Sequence, residues 1–231
     1  MKIVFKITPL ASLLLLLFLL LPASLVQSAE PSDAANLFAS IQPLAERGDT
    51  NAQYNLALLY AKGNGVPQDY VEARKWHLKA AEQGNHLSQY MLGFFYAEGN
   101  GVAQDYTEAR KWWLKSAKQG NHLSQHNLGL LYAEGNGVAQ DYTEARKWWL
   151  KSAEQSNPVS QLNLGLLYAE GYGVPQNSAI AYAWLNIAAD QGDQNAKDAQ
   201  EHVAARLDAA SLAEAQRLSR EYFKRYVEPF R

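Results

Sequence analysis

Apolar residues recur at helical spacing in the segment 51–62 (NAQYNLALLYAK). Its apolar stripe consists of residues three or four positions apart: Ala52, Leu56, Leu59 and Tyr60. This spacing places the side chains on one face of an α-helix. Gly63, just past the last turn, can take the left-handed conformation that ends a helix. The pattern therefore predicts a helix over residues 51–62, which we call helix A, followed by a glycine-rich turn.

A second helical stripe follows after a short polar connection. Asp69 precedes it and Glu72 stands three residues later, the pattern of a capping box in which each side chain binds a free backbone N–H. The stripe itself combines small and aromatic residues: Ala73, Trp76, His77, Ala80 and Ala81. Gly84 ends the segment. We predict a second, antiparallel helix, called helix B, whose small residues allow close approach and whose tryptophan fills the space between helices.

This pair of helices recurs with a period of 36 residues. The segment YAEGNGVAQDYTEARKWWLKSA occurs without change at 96–117 and at 132–153. Other positions stay in phase through four copies: Leu56, Leu92, Leu128 and Leu164; Tyr60, Tyr96, Tyr132 and Tyr168; Gly65, Gly101, Gly137 and Gly173; Trp76, Trp112, Trp148 and Trp184. A repeat of this length predicts stacked two-helix units that share a continuous core.

The repeats divide the chain into a central array and two ends. The four units are 49–84, 85–120, 121–156 and 157–192. Residues 30–48 are expected to form an N-terminal capping helix, broken near Pro43. Residues 193–231 are expected to form amphipathic C-terminal capping helices, because the terminal faces of a stacked array need a polar cover. The predicted fold is all-α.

The repeated residues resemble a known family. The pattern A-Q-x-x-L-[GA]-x-x-Y-x-x-G-x-G-V-x-x-D-x-x-x-A-x-x-W, followed by A-A-E-Q-G, is similar to the Sel-1-like repeat, a relative of the tetratricopeptide repeat. The resemblance implies a right-handed α/α superhelical solenoid that acts as a protein-interaction scaffold, often in exported bacterial proteins. Ser156, in place of a closing glycine, and Asn177, in place of a capping aspartate, depart from the pattern.

The first 29 residues have the pattern of a cleavable signal peptide. Lys2 and Lys6 form a basic start, residues 10–21 are almost entirely apolar, and small residues follow up to Ser28 and Ala29, after either of which cleavage fits. An uncleaved membrane anchor is the alternative, but an apolar run of roughly 12 residues is short of the ~20 that span a bilayer. We expect a periplasmic or secreted protein with no stable membrane insertion after cleavage.

Composition narrows the classes of partner. The chain has no cysteine, so it can form neither a disulfide nor a lipid anchor on cysteine. Without Lys2 and Lys6, 19 basic residues stand against 23 acidic ones. This balance argues against nucleic acid or anionic lipid as the main partner. We expect a monomer that binds a protein or a peptide.

The chain lacks the common catalytic motifs, such as G-x-S-x-G, H-E-x-x-H and S-x-x-K. His122 and His126 have a spacing that metals use, yet neither a carboxylate nor a cysteine stands at ligand spacing beside them. Capping explains Asp69 and its equivalents. Core packing explains Trp113 and Trp149 better than ligand stacking does. We therefore predict no catalytic residue, cofactor or metal, and we expect Trp112 and Trp148 to be buried between units.

A partner site is predicted on helix A. If helix B lies outside, as the resemblance implies, one face of each helix A lines a concave groove that is apolar in the middle and mostly acidic at one edge. Its members are Asn51, Tyr54, Leu58 and Lys62; Leu87, Tyr90, Phe94 and Glu98; Leu123, His126, Leu130 and Glu134; Val159, Leu162, Leu166 and Glu170.

The second and third units differ mainly in helix A. The differences are Tyr90 against His126, Met91 against Asn127, Phe94 against Leu130 and Phe95 against Leu131. Either this variation adapts the groove to a partner, or it is neutral drift. Exposed apolar stripes on soluble proteins usually mark interaction sites.

Three functions remain open from the sequence. The first is a non-enzymatic exported scaffold, with a role in envelope regulation, assembly or binding of host proteins. The second is a cell-wall or β-lactam-directed hydrolase, by analogy with cysteine-rich members of the family, although this chain has no cysteine. The third is a structural spacer without a groove.

Overall fold

The computed structural model describes residues 31–231, so the predicted leader at 1–29 lies outside the described residues. This part of the chain contains eleven α-helices and no strand. They are α1 (Pro31–Glu46), α2 (Thr50–Lys62), α3 (Tyr70–Glu82), α4 (His86–Glu98), α5 (Tyr106–Lys118), α6 (His122–Glu134), α7 (Tyr142–Ala153), α8 (Pro158–Glu170), α9 (Ser178–Ala189), α10 (Gln194–Ala204) and α11 (Ala209–Tyr226). A short 3₁₀ helix, Glu228–Phe230, follows. From residue 31 onward, no helix combines the length and the apolar character that crossing a membrane requires.

The helix starts confirm the predicted aspartate caps. Asp69 Oδ1 accepts hydrogen bonds from the backbone N–H groups of Val71 and Glu72 at 2.8 and 3.0 Å. Asp105 and Asp141 cap α5 and α7 in the same way. The other predicted bond of the capping box, from the backbone N–H of Asp69 to the Glu72 carboxylate, is wrong. The Glu72 carboxylate instead forms an ion pair with Lys75 on the exposed face of the helix. The prediction of a break near Pro43 is also wrong, since α1 continues through that residue.

The turn between helix A and helix B depends on glycine. Gly99 ends α4 at φ 76° and Gly101 follows at φ 65°, both in the left-handed region. A Cβ atom on Gly101 would lie 2.5 Å from the carbonyl carbon of Tyr70, closer than non-bonded atoms approach. The tight approach of this turn to the preceding helix B therefore excludes any side chain at Gly101.

The helices form two compact units within the described chain, one of residues 31–121 and one of residues 122–231. In the N-terminal unit, each helix from α1 to α5 packs against the next along the chain. In the C-terminal unit, α6 to α9 pack in the same sequential manner, and α10 and α11 both cover α9. Compact all-helical units in which consecutive antiparallel helices pack in pairs are typical of an α/α solenoid.

The buried tryptophan of helix B is one residue later than we predicted. Trp113 and Trp149 are completely buried, whereas Trp112 and Trp148 are partly exposed. The prediction that Trp112 and Trp148 are buried between units is therefore wrong. Their rings lie on the helix surface, where Lys115 Nζ is 4.0 Å from the Trp112 ring centroid and Lys151 Nζ is 4.6 Å from that of Trp148.

A glycine in helix A makes room for the buried tryptophan. In the N-terminal unit, Trp113 Nε1 donates a hydrogen bond to the carbonyl oxygen of Tyr90 at 3.1 Å. A Cβ atom on Gly93 would lie 2.4 Å from Trp113 Cδ1. Trp149 makes the same hydrogen bond to His126 in the C-terminal unit, beside Gly129. Packing thus accounts for Trp113 and Trp149, as we expected.

The end of the chain covers the last unit. Trp184 of α9 is buried, and its ring centroid lies 4.7 Å from that of Tyr222 and 5.3 Å from that of Tyr226 in α11. The opposite face of α11 is charged, and Arg217 pairs there with Glu214 and Glu221. The two faces of α11 therefore provide an apolar inner cover and a polar outer surface.

Candidate partner-binding face

The structure separates the predicted groove residues into accessible and buried sets. The side chains at least partly accessible are Asn51, Tyr54, Lys62, Leu87 and Glu98 in the N-terminal unit, and Leu123, Glu134, Val159, Leu166 and Glu170 in the C-terminal unit. The buried ones are Leu58, Tyr90, Phe94, His126, Leu130 and Leu162. The expectation that all of them form one exposed stripe is therefore wrong for the buried set, and partner binding by the accessible set stays a prediction.

The buried positions pack against neighbouring helices. His126 Nδ1 lies 2.9 Å from Ser160 Oγ, so this ring fills the contact between α6 and α8. Leu162 belongs to an apolar cluster with Tyr182 and Leu185 of α9. In the N-terminal unit, the ring of Tyr54 lies 5.7 Å from that of His77 in α3. Tyr90, His126 and Leu162 thus occupy the side of helix A that faces other helices, and the partly accessible Tyr54 packs toward the same side.

A second helical stripe begins at the accessible residues Leu123 and Val159. It continues through Asn127 and Asn163, each one position after the predicted His126 and Leu162. In the C-terminal unit it consists of Leu123, Asn127, Leu130 and Glu134 on α6, which we call the α6 stripe, and of Val159, Asn163, Leu166 and Glu170 on α8, the α8 stripe. The spacings of four, three and four residues keep each stripe on one helix face. Asn55 and Met91 hold the equivalent position in the N-terminal unit and are both partly exposed.

Asn127 and Asn163 were not among the residues predicted from the sequence to form this face. The spacing of Asn127 from Leu123, Leu130 and Glu134 was a signal that could have found it. Asn127 and Asn163 are nearly fully buried, with 2% and 4% of their surfaces exposed. Within residues 31–231, Asn127 Oδ1 and Asn163 Nδ2 have no hydrogen-bond partner. Such unpaired buried groups are uncommon in proteins and require an explanation.

Carboxylates end each stripe of the C-terminal unit, and one ends the equivalent stripe of α4. Burial raises the pKa of Glu98 and of Glu134, and in Glu134 a hydrogen bond from Asn136 at 2.7 Å opposes that rise. Each of Glu98, Glu134 and Glu170 is the last residue of its helix, where the helix dipole disfavours negative charge. Among the described residues, none of the three carboxylates forms an ion pair.

Two histidines are buried within the repeats. Burial lowers the pKa of His77 to about 3, and burial together with the charge of the nearby His122 lowers that of His126 to about 4. Each ring binds a serine through Nδ1, His77 with Ser88 at 3.2 Å and His126 with Ser160 at 2.9 Å. Across residues 31–231, no group of three or more histidine, aspartate or glutamate side chains is arranged to hold a metal ion.

Hydrogen bonds between glutamine side chains join helix A to the end of helix B within each repeat. Gln119 Nε2 donates to Gln89 Oε1 at 2.8 Å in the N-terminal unit, and Gln191 donates to Gln161 at 2.7 Å in the C-terminal unit. Gln89 and Gln161 also donate to carbonyl oxygens of the preceding helix B. These repeated bonds account for the buried glutamines as structural groups. They fix the orientation of helix A, and with it the direction in which the stripe faces.

Comparison with known families identifies the repeats. The family model described as the Sel1 repeat matches residues 50–85, 86–121, 122–157 and 158–193. Each match begins one residue after our sequence-based boundary. No curated protein matches the chain.

Three solved structures that share this fold come from bacteria. One is the crystal structure of c5321, a protective antigen present in uropathogenic Escherichia coli strains that displays an SLR fold; it is 31% identical over 90% of this chain and 44% of its own, with a TM-score of 0.79. A Sel1 repeat protein from Oxalobacter formigenes is 36% identical over 74% of this chain and 49% of its own, with a TM-score of 0.68. The immunity protein Pa5087 from Pseudomonas aeruginosa shares the fold at 23% identity over 89% of this chain and 78% of its own, with a TM-score of 0.51.

The chain therefore spans less than half the length of the first two of these structures. The four matched repeats cover the array from α2 to α9. Together with the shared fold, they show that the chain belongs to the Sel1 repeat family.

Proposed function

We propose that this protein is a non-enzymatic binding module that holds a partner protein against the accessible face of its A helices. The observation that carries the proposal is the presence of four Sel1 repeats, because Sel1-repeat proteins generally mediate protein–protein interaction. The accessible stripe residues add local support. They combine apolar side chains such as Leu87, Leu123 and Leu166 with carboxylates that have no cation beside them within the described chain.

The location follows from the leader pattern. We propose that the chain is exported and acts in the periplasm or outside the cell, as a monomer, after cleavage next to Ser28 or Ala29. N-terminal sequencing of the protein recovered from envelope and culture fractions tests this. A first residue of Ala29 or Glu30 in the exported fraction supports export, and an intact Met1 in a cytoplasmic fraction contradicts it.

Affinity capture with paired variants tests partner binding. The immobilised protein is incubated with the native envelope fraction, and bound proteins are identified by mass spectrometry. Leu123→Asp and Glu134→Lys alter the α6 stripe, whereas Lys147→Glu reverses a charge on the exposed face of α7 and serves as the control. Far-ultraviolet circular dichroism verifies that each variant is folded.

The proposal requires one protein to be captured by the wild type and by the Lys147 variant and lost from both stripe variants. Equal capture by all four proteins contradicts the placement of the binding face. Capture of no protein above the level of a blank matrix contradicts the function itself.

A further inference from the structure

Tyr142 and Tyr172 form a stacked pair of rings on the surface of the C-terminal unit. Their ring centroids are 5.0 Å apart and their planes are inclined by 17°. Tyr142 is the first residue of α7, and Tyr172 lies in the turn that follows α8. Tyr172 keeps 47% of its surface exposed, and the glycines on either side of it place no side chain beside the ring. The outer face of Tyr172 is therefore open to a ligand.

Tyr172 distinguishes the fourth repeat from the other three. The equivalent position is asparagine in each of them: Asn64, Asn100 and Asn136. All four turns have two glycines in the left-handed region at the same places, so the backbone conformation is shared. The turn itself therefore does not require a tyrosine at this position.

A guanidinium group lies one helical turn from the stacked rings. Arg146 stands four residues after Tyr142 on α7, and Tyr168 stands four residues before Tyr172 at the end of α8. Arg146 Nη1 lies 3.5 Å from Tyr168 Oη, a weak hydrogen bond that joins the same two helices as the stacked rings do. Residues four positions apart share one helix face, about 6 Å apart along the axis. The guanidinium and the rings therefore belong to one patch.

The charge of Arg146 is not neutralised within residues 31–231. Arg146 forms no ion pair there. The residues one turn away on α7 are all uncharged: Tyr142, Thr143, Trp149 and Leu150. In the described chain Nε is buried without a partner, whereas Nη2 is neither buried nor bonded. A guanidinium that already packs against the protein can pair with an external carboxylate with little further loss of freedom.

Two hydroxyl groups border the stacked rings. Tyr168 Oη accepts the weak bond from Arg146 and can still donate its own proton. Thr143 is exposed, and its Oγ1 lies 3.5 Å from the carbonyl oxygen of Gly173, the residue after Tyr172. The patch therefore combines an open aromatic face, a cation and two groups that both donate and accept hydrogen bonds.

This combination fits a sugar ring that carries a carboxylate. The slightly positive C–H groups on the face of a pyranose are attracted to the negative face of an aromatic ring. In a uronic acid the carboxylate is bonded directly to the sugar ring. A nucleotide has a ribose between its base and its phosphate, and a C-terminal phenylalanine has two further carbons between its ring and its carboxylate. The spacing of one helical turn between Tyr172 and Arg146 therefore favours the more compact uronic acid.

We propose that this patch binds a uronic acid residue of an acidic polysaccharide, which stacks on Tyr172 and pairs its carboxylate with Arg146. The site is additional to the proposed binding of a partner protein. Tyr168 is two residues from both Leu166 and Glu170 of the α8 stripe, about 200° around the helix. The sugar site and the stripe therefore lie on opposite sides of α8.

The probe is a printed array of galacturonate, glucuronate and mannuronate oligosaccharides, each beside the neutral oligosaccharide of the parent sugar. The complete chain is expressed in bacteria, purified as the cell processes it, labelled with a fluorophore and applied to the array. The uronate with the strongest signal is then titrated by isothermal titration calorimetry. Its carboxyl methyl ester, which keeps the ring and removes the charge, is titrated beside it, as are adenosine monophosphate and a peptide that ends in phenylalanine.

Matched variants are available from the chain itself. Tyr172→Asn introduces the residue that the other three repeats carry, and Arg146→Gln removes the charge. Arg74→Gln makes the same change at the equivalent position of the first repeat, where Asn100 stands in place of the exposed ring. Tyr172→Asn and Arg146→Gln are each expected to weaken uronate binding by about tenfold or more. Arg74→Gln is expected to bind like the wild type.

The methyl ester separates the role of the charge from that of the ring. The wild type is expected to bind the ester about as weakly as Arg146→Gln binds the acid, and Arg146→Gln is expected to bind acid and ester alike. Equal binding of acid and ester by the wild type would overturn the pairing with Arg146. Tighter binding of the nucleotide or of the peptide would overturn the assignment to a sugar.

Stability separates a binding role of Tyr172 from a packing role. Tyr172→Asn is expected to keep the melting temperature of the wild type and to lose the sugar. A lower melting temperature with unchanged binding, or no uronate bound by the wild type above the level of Tyr172→Asn, would overturn the inference. Capture of an envelope protein depends on Leu123 and Glu134 instead, so failure of either proposal leaves the other intact.

Discussion

The buried histidines predict a specific loss of stability in mild acid. His77 and His126 are fully buried and neutral in the folded protein, with pKa values of about 3 and about 4 against an ordinary value of 6.5. As the pH falls below about 6.5, the unfolded chain binds protons at these two sites and the folded chain does not. Stability that is complete above pH 6.5 is therefore lost progressively down to the folded-state pKa values.

The loss of stability at pH 5 is determined by the pKa of the histidines in the unfolded state. A histidine of ordinary pKa that is protonated when unfolded and neutral when folded lowers the free energy of unfolding by about 2 kcal/mol at pH 5 relative to pH 7.5. Two such groups give about 4 kcal/mol if both units unfold together. Glu98 and Glu134 act in the opposite direction, because burial raises the pKa of each carboxyl group and so favours its protonation in the folded state; both are present in every protein that is compared.

The assay is urea denaturation of each protein at pH 7.5 and at pH 5.0, followed by circular dichroism. His126→Leu and His77→Leu introduce residues found at the equivalent positions 162 and 185. Each variant is compared with itself at the two pH values, so that the direct effect of the substitution cancels. His122, whose pKa is also lowered by burial, is present in every protein and cancels too.

Each substitution is expected to remove about 2 kcal/mol of the pH-dependent loss. A His126→Leu protein that loses as much stability as the wild type between the two pH values would show that His126 is not buried and neutral in the folded state. The same outcome for His77→Leu would refute the reasoning for the first repeat.

Two further predictions concern packing and turns. Trp113→Ala should lower the free energy of unfolding by about 3–5 kcal/mol, because the ring fills the core beside Gly93, whereas Trp112→Ala should cost no more than about 1 kcal/mol; equal losses in urea denaturation would contradict this assignment. Gly101→Ala should destabilise by more than about 1 kcal/mol through its left-handed backbone and its clash with Tyr70, and Asn100→Ala should be nearly neutral by the same measurement.

The helices and turns could be predicted from sequence because their causes are local. Asp69 lies within three residues of the N–H groups it caps, and the glycine turns need only their own backbone conformation. The repeat then placed the same features four times. Local signals of this kind do not depend on how the helices are arranged in space.

The rotation of each helix about its own axis could not be predicted to within one residue by the same reasoning. Trp112 and Trp113 are only 100° apart around the helix, and both fit within a wide apolar stripe. The glycine facing one of them decides which is buried. Residue pairs carried a signal of this choice: Gly93 faces Trp113 and Gly129 faces Trp149, while Ala57 occupies the same position where the first repeat has the smaller ring of His77.

The partner face shows the same one-residue error. We predicted that Tyr90 and His126 line the groove, and the structure buries both against neighbouring helices; of the adjacent residues, Met91 is partly exposed and Asn127 is nearly fully buried. Helical spacing counted from Leu56 and Tyr60 favoured the former pair, and adjacent positions lie only about 100° apart around a helix. The unpaired amide of Asn127 became visible only when its surroundings were known.

Site-specific crosslinking tests the central claim most directly, that a partner protein binds helix A rather than helix B. Leu87 on α4 and Val71 on α3 are both large, apolar and exposed, at 36% and 44%, in the same N-terminal unit. A photoreactive amino acid is placed at one or the other position, and adducts formed in intact cells are counted by mass spectrometry. The account predicts one dominant partner adduct from position 87 and none from position 71. A dominant adduct from position 71 alone, or the same adduct from both, would contradict it.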